Sequence, residues 1–391
     1  MYDPLVFCAG RMARSSSLHS LGKSVFFFLC IVVLSLCIAV VSPVSADYVY
    51  PGGDGTANDP YQISTSDDVR HLSTDSGNWD KHFILTNTIP LSAGSPANTI
   101  GNLALPFTGS FDGQGFTISN FTMNTGGSDH IGIFGILGSI GKITNLTVHA
   151  GAAGVRGNSY VGVLIGYNAG SLTNCHATGN VTAATDHAGG LVGANGGSIT
   201  NCNASGNAVA DNNVGGLVGK NQGTVTYCSA TGDAAADNNA GGLVGYNAGL
   251  IEGCNATGDA TAVNAAGGLI GLNDENSIVT DCYAAGDANA THGHSAGGLV
   301  GYNKDATVTD CYATGNANAN IHAGGLLGRN YGAGTITNCY ATGNANAVNS
   351  VGSLIGFNDE NGIVTGCYAT AMPMLLLICM PVVLSDIIKA L

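Results

Sequence analysis

The chain has 391 residues, a formal net charge of −14 from 11 basic and 25 acidic side chains, 60 glycines and a single tryptophan. So much glycine and so little charge exclude an ordinary helix-rich enzyme, because each glycine costs a helix about 1 kcal/mol relative to alanine. The acidic balance excludes a nucleic-acid partner, which needs a basic stripe to displace phosphate counterions, and suits solubility and association with cations.

In chain order, residues 1–46 read as a secretory signal peptide. Arg11, Arg14 and Lys23 precede an apolar run from Val25 to Val41, and Val44-Ser45-Ala46 stands before Asp47. An uncleaved membrane anchor is the alternative, although a spanning helix needs about 20 apolar residues. Residues 47–160 form an N-terminal capping part and the first coils of the array. Here Ser66-Asp-Asp-Val-Arg-His-Leu72 predicts the one short helix of the mature chain, with a serine or aspartate as its cap. Phe83 to Leu91 alternates as a strand, and Phe107 to Phe121 carries an Asp-Gly turn between two apolar-alternating runs.

Residues 161–370 are a repeat array. Its unit is typified by Asn239-Ala-Gly-Gly-Leu-Val-Gly-Tyr-Asn247 and then Leu250-Ile-Glu-Gly-Cys-Asn-Ala-Thr-Gly258. Aligned on Cys175, Cys202, Cys228, Cys254, Cys282, Cys311, Cys339 and Cys367, the period is 26 to 29 residues, the signature of a solenoid. Each unit holds an apolar strand, a second apolar point (Ile199, Val225, Ile251, Val279, Val308, Ile336, Val364) and the cysteine, which suits three short strands per coil. Such coils cannot bury their inner face alone and must stack, at about 4.8 Å.

The Phe107–Phe121 stretch, Ile131-Gly-Ile-Phe-Gly135 and the reiterated Gly-Gly-Leu-Val-Gly resemble the GLUG-motif repeat proteins found among bacterial and archaeal surface and secreted proteins. The resemblance covers about Tyr48 to Thr370. It implies an all-β fold, a right-handed parallel β-helix of the kind shared with pectin-lyase-like and filamentous-haemagglutinin-like proteins.

Spacing locates the corners. Ile199 and Cys202 can both face the core only if the chain bends at Thr200-Asn201, where Asn or Asp recurs as Asn174, Asp281, Asp310 and Asn338. A second corner carries Asn168, Asn195, Asn221, Asn247, Asn273, Asn303, Asn330 and Asn358, which in register can form an amide ladder. The eight cysteines lack zinc-site spacing and are read as a reduced, inaccessible column of small thiols in the core. A ladder of disulfides is the alternative.

Catalytic motifs are scarce. There is no His-Glu-x-x-His, no Gly-x-Ser-x-Gly and no phosphate loop. His292-Gly-His294 reads as a solvated insertion. The array's later coils are longer than its earlier ones, and the extra residues all follow the ladder asparagine. Stacking would gather Asp274, Glu275, Lys304, Asp305, Arg329, Tyr331, Asp359 and Glu360 on one edge, the expected place for a glycan or a divalent cation. No cofactor is expected beyond a calcium ion on that edge.

The last segment, 371–391, is a hydrophobic tail that reads as a cap over the open end, a weak membrane contact, or the scar of a truncated longer protein. Sequons begin at Asn120, Asn145, Asn180, Asn203, Asn255 and Asn289. The whole reads as a secreted or cell-surface structural and adhesion module without catalysis, whose partners are surface glycans or other envelope proteins. A membrane is met only through an uncleaved signal or the tail. A polysaccharide lyase or hydrolase, or a glycan-binding protein, on the same fold is the alternative.

Overall fold

The computed structural model describes residues 48–91, 98–292 and 294–371, with the backbone of 374–375. The expected signal peptide and most of the tail lie outside the described residues. The chain divides into two units, Met1–Val49 and Tyr50–Leu391. The second unit is a parallel β-solenoid of about ten coils.

Each coil of the array contributes five short strands where three were expected. In one coil they are Ser171–Thr173, His176–Thr178, Val181–Ala183, Asp186–Gly189 and Val192–Asn195. Each pairs in parallel with its equivalents one coil before and one coil after, building five ladders around the core. The strand count is higher because corners are frequent: only two to five residues lie between bends. The first ladder holds twelve strands, from Tyr61–Ile63 to Ile363–Thr365. The second and third ladders are separate columns in the array that merge on the single long strand Thr147–Gly157, which pairs in turn with Thr117–Asn124.

Inward positions alternate with outward ones, as the pleat demands. The central residue of the first ladder (Leu172, Ile199, Val225, Ile251, Val279, Val308, Ile336) is fully buried in every coil but the last, and so are the cysteines up to Cys339. The second and third ladders turn alanines inward, Ala204, Ala230, Ala256 and Ala284 among them. Small residues are required there because the opposite wall is close: a Cβ on Gly216 or Gly242 would touch Ala230 or Ala256.

The Gly-Gly-Leu-Val-Gly signature explains the fourth and fifth ladders. Between Gly241 and Val244 the chain doubles back so that one backbone lies directly on another, with Leu243 buried as the apolar point of the bend. A Cβ on Gly241, Gly242 or Gly245 would come within 3 Å of backbone atoms of the facing strand or the next coil. The first and last of these glycines recur in every unit of the array, and the middle one gives way only to Val163 in the first and Ser353 in the last.

At the N-terminal end the helix, α1, spans Ser66–Leu72 as expected, but its cap is Thr65 and not Ser66 or Asp67. Thr65 and Asp68 form a reciprocal capping box. Val69 and Leu72 are buried against Trp79, whose Nε1 donates to the Leu72 carbonyl at 2.8 Å. The helix and the Tyr50, Tyr61 and Phe83 rings thus close this end of the core.

Two readings of this region need correction. The Phe83–Leu91 run is two strands, His82–Leu85 and Ile89–Pro90, broken at Thr86-Asn87-Thr88 because it crosses a coil corner. The Asp112-Gly113 turn is likewise a corner between ladders, since both flanking strands find parallel partners in neighbouring coils.

Candidate functional site

Two corner columns fix the scaffold on which any site must stand. In the first, the residue ahead of each cysteine adopts a left-handed backbone, as does Asn145 ahead of Leu146: Asn145, Asn174, Asn201, Tyr227, Gly253, Asp281, Asp310, Asn338 and Gly366 all have φ between 51° and 67°. Asn, Asp and Gly tolerate this conformation best. The bend turns the next N–H into the core, and the cysteine sulfur answers it. The N–H of Cys228 donates to the Sγ of Cys254 at 3.3 Å, and that of Cys254 to Cys282 at 3.4 Å. Each thiol in turn donates to the carbonyl two residues back in its own coil. All eight cysteines are free thiols. Contact with the adjacent thiols, and then burial, push Cys202, Cys254 and Cys311 far above the ordinary thiol range.

In the second column the eight asparagines form an unbroken chain, each Nδ2 donating to the Oδ1 of the next coil at 2.7–2.8 Å. From Asn168 to Asn330 all are buried, and Asn358 is exposed. Each also clamps its own corner. Asn247 accepts from the Gly249 N–H and donates to the Gly249 carbonyl, both at 3.2 Å. In the longer coils the amide reaches further along the loop, Asn330 to Gly334 and Asn358 to Gly362. The insertions therefore hang from an unchanged clamp.

Those insertions line one edge, and neighbouring loops bond to each other. Lys304 Nζ lies 2.6 Å from Glu275 and 3.3 Å from Asp274. Tyr246 donates its hydroxyl to the other Asp274 oxygen at 2.5 Å. Burial pushes the Asp274 carboxyl up, but the bonds from Tyr246, the Glu275 N–H and Lys304 outweigh it and leave it below the usual range. Burial and the same bond raise the Tyr246 phenol to about 12. Asp305 accepts from the Ala333 N–H at 2.8 Å, and Asp359 from Gly332 and Glu360.

Asp274, Glu275, Asp305 and Asp359 are thus bonded to Lys304, Tyr246 and loop backbone, while Glu360 is exposed. Among the described residues no group of three or more His, Cys, Asp or Glu side chains is placed to hold a metal ion. Nor do Asp274 and Glu275 form a free acid–base pair, because one ammonium ties both.

What the edge does present is an aromatic column around a cation. Arg329 carries its guanidinium 5.2 Å from the Tyr302 ring centre, 4.7 Å from Tyr331 and 5.5 Å from Phe357. Its Nε is buried without a hydrogen-bond partner. Tyr302, Arg329 and Phe357 are register partners on the outer face of the fifth ladder, and Tyr246 and Leu272 continue the column. Tyr331 and Phe357 are both 38% exposed. Beside them His322 packs on Phe357 at 5.0 Å, and burial, with Arg329 near it, lowers its pKa to about 4.

Sequence reading named Arg329 and Tyr331 but missed Tyr246, Tyr302 and Phe357. The signal was present: each stands immediately before a ladder asparagine, which places it outward by the two-residue period.

Seven consecutive matches to the GLUG motif cover residues 157–182, 185–209, 210–235, 236–261, 262–289, 292–318 and 319–346, one per coil. The chain carries a GLUG-motif repeat array. The chain is 35% identical over 137 residues to halomucin of Haloquadratum walsbyi, a match taking in 33% of this chain and 2% of halomucin. It is 33% identical over 156 residues to a provisionally named Gly-rich membrane protein of Evansella cellulosilytica, covering 38% of this chain and 18% of that protein. The chain therefore spans a small part of both relatives. A crystal structure from Bacteroides ovatus, provisionally called an immunoglobulin A1 protease, aligns over 83% of the chain and 80% of its own, at 20% identity and a TM-score of 0.30, too loosely to bear on mechanism.

Proposed function

We propose that this GLUG-motif solenoid is a non-catalytic module of the cell surface or envelope whose stiff scaffold presents the aromatic–arginine edge to a saccharide. The observation that carries the reading is the Tyr302–Arg329–Phe357 column with Tyr331 beside it. Aromatic rings take the apolar faces of sugars, and a guanidinium with unspent donors suits a hydroxyl or carboxylate substituent. Neighbouring coils repeat the contact at about 4.8 Å, a spacing suited to an extended chain. Surface placement is supported by the membrane protein among the relatives and by the signal-like N-terminus. No helix among the described residues is long and apolar enough to cross a membrane.

The test is retention of the purified chain on immobilised neutral and uronate-containing polysaccharides. Arg329→Ala with Tyr302→Ala should abolish retention without changing the unfolding midpoint. Equal retention by the double variant, or no retention of the unaltered chain by any polysaccharide, overturns the proposal.

A further inference from the structure

The outward position that follows each core cysteine changes character half-way along the array. In the first four coils the second ladder presents His176, Asn203, Ser229 and Asn255 there, and in the last four Tyr283, Tyr312, Tyr340 and Tyr368. Because the pairing is parallel and in register, each ring lies over the next. The ring centres are 4.3, 4.9 and 5.2 Å apart in chain order, with planes inclined at 28°, 3° and 7°. That spacing follows from strands stacked at about 4.8 Å. Tyr368 is exposed and the other three rings are half-buried. This column stands on the second ladder, apart from the fifth-ladder edge that carries Arg329. Other tyrosine pairs lack its arrangement. Tyr302 and Tyr331 meet edge to face at 6.2 Å, and Tyr50, which lies 4.7 Å from Tyr61, is buried with its hydroxyl on Asp75.

Phenols superposed in this way are placed to couple. A one-electron oxidant takes an electron from a tyrosine, whose hydroxyl proton passes to water, and leaves a radical with much of its spin on the two ring carbons ortho to oxygen. Two such radicals on adjacent coils pair their spins in one carbon–carbon bond. Each ring then moves the hydrogen of its bonded carbon to oxygen and is aromatic again. Per link, two electrons and two protons leave the chain, and one hydrogen peroxide takes them up to become two waters. Each ring has two ortho carbons, so Tyr312 and Tyr340 can be joined on both sides. The core thiols do not meet these rings. Cys282, Cys311 and Cys339 directly precede three of the tyrosines in sequence, but they are buried on the inner face of the coil while the rings stand on the outer one.

We infer that Tyr283, Tyr312, Tyr340 and Tyr368 are a cross-linking site, at which a peroxidase acting with hydrogen peroxide joins neighbouring coils of one chain through ring-to-ring carbon bonds. Each link closes one coil into a covalent ring and restricts the unfolded chain as a disulfide does. For the test, the full chain is treated, folded and dilute, with a haem peroxidase and limiting hydrogen peroxide, then digested and mapped by mass spectrometry for tyrosine pairs that have lost two hydrogens. Links Tyr283–Tyr312, Tyr312–Tyr340 and Tyr340–Tyr368 should appear within single chains, at a yield per chain that does not fall on dilution. Tyr340→Phe keeps a ring in the stack but has no hydroxyl hydrogen to lose. It should abolish the second and third links and retain the first, which shows that the coils still stand in register. Absence of links in the folded chain overturns the proposal. So does a pattern that follows exposure alone, with Tyr227 and Tyr331 joined as often as Tyr312 and Tyr340. The same links at equal yield in the denatured chain would show that stacking plays no part and overturn it. Links found only between chains, falling in yield on dilution, assign the column to assembly of copies and overturn it too.

Discussion

The sulfur of Cys254 is more than a small apolar volume. It accepts the N–H of Cys228, a buried donor that the left-handed bend at Tyr227 has turned away from every carbonyl of its own ladder. Truncating it strands that donor and leaves a small void. Cys254→Ala should therefore cost about 2–4 kcal/mol in chemical unfolding, combining an unsatisfied buried group with a cavity. A loss below about 1 kcal/mol would mean the thiol is filler. This role was not legible in the sequence. The repeats hold the cysteine at a steady spacing, and spacing alone gives the inward direction without the hydrogen-bond partner. The asparagine column was legible because an amide has both a donor and an acceptor, so a stacked row of them can satisfy itself.

Among elements, the Gly-Gly-Leu-Val-Gly bend carries the constraint. A side chain at Gly242 would meet the Gly268 carbonyl, and backbone cannot step aside for it. Gly242→Val should unfold the coils around it, and the loss should exceed that of Asn238→Ala. Asn238 is not in a solvated connection, as its place in the repeat suggests, but half-buried in a shorter amide row, bonded to Asn212 and Asn264. Asn238→Ala should thus cost about 1–2 kcal/mol, not nothing, for two partly wet amide bonds. Thermal unfolding of both variants beside the unaltered chain measures the difference, and equal losses would contradict the backbone-contact account. The period predicted coils, but the number of strands per coil and the crossing of Phe83–Leu91 over a corner depend on where bends fall. A bend written with ordinary residues, such as Thr86-Asn87-Thr88, leaves little trace in sequence.

On the scale of the whole solenoid, coils add their stabilities and share them with neighbours, so a local penalty propagates. His187 supplies one that depends on acidity. It lies 8% exposed in a stack with Tyr160, and burial lowers its pKa to about 4, with Asp186 opposing and Lys220 assisting. The unfolded imidazole titrates near about 6.5. Above that value both states are neutral and nothing is lost. As pH falls from about 6.5 towards 4 the unfolded chain takes up a proton that the folded chain refuses, and stability declines. His187→Gln should flatten the unfolding midpoint's dependence on pH in that window, as followed by circular dichroism. An unchanged slope would place the acid sensitivity elsewhere, with His322 the next group to test.

The asparagine chain has one property that no backbone ladder shares. In the strands, successive N–H and C=O groups point in opposite directions, so their dipoles nearly cancel. All seven amide links from Asn168 to Asn358 point the same way, donor towards the C-terminal neighbour. Each link polarises the next. The interior of an otherwise nonpolar stack is consequently threaded by a permanent electric axis with distinguishable poles. Hydrolysis of any one of these amides to a carboxylate would insert a residue that cannot donate, cutting the series into two shorter ones whose facing ends repel.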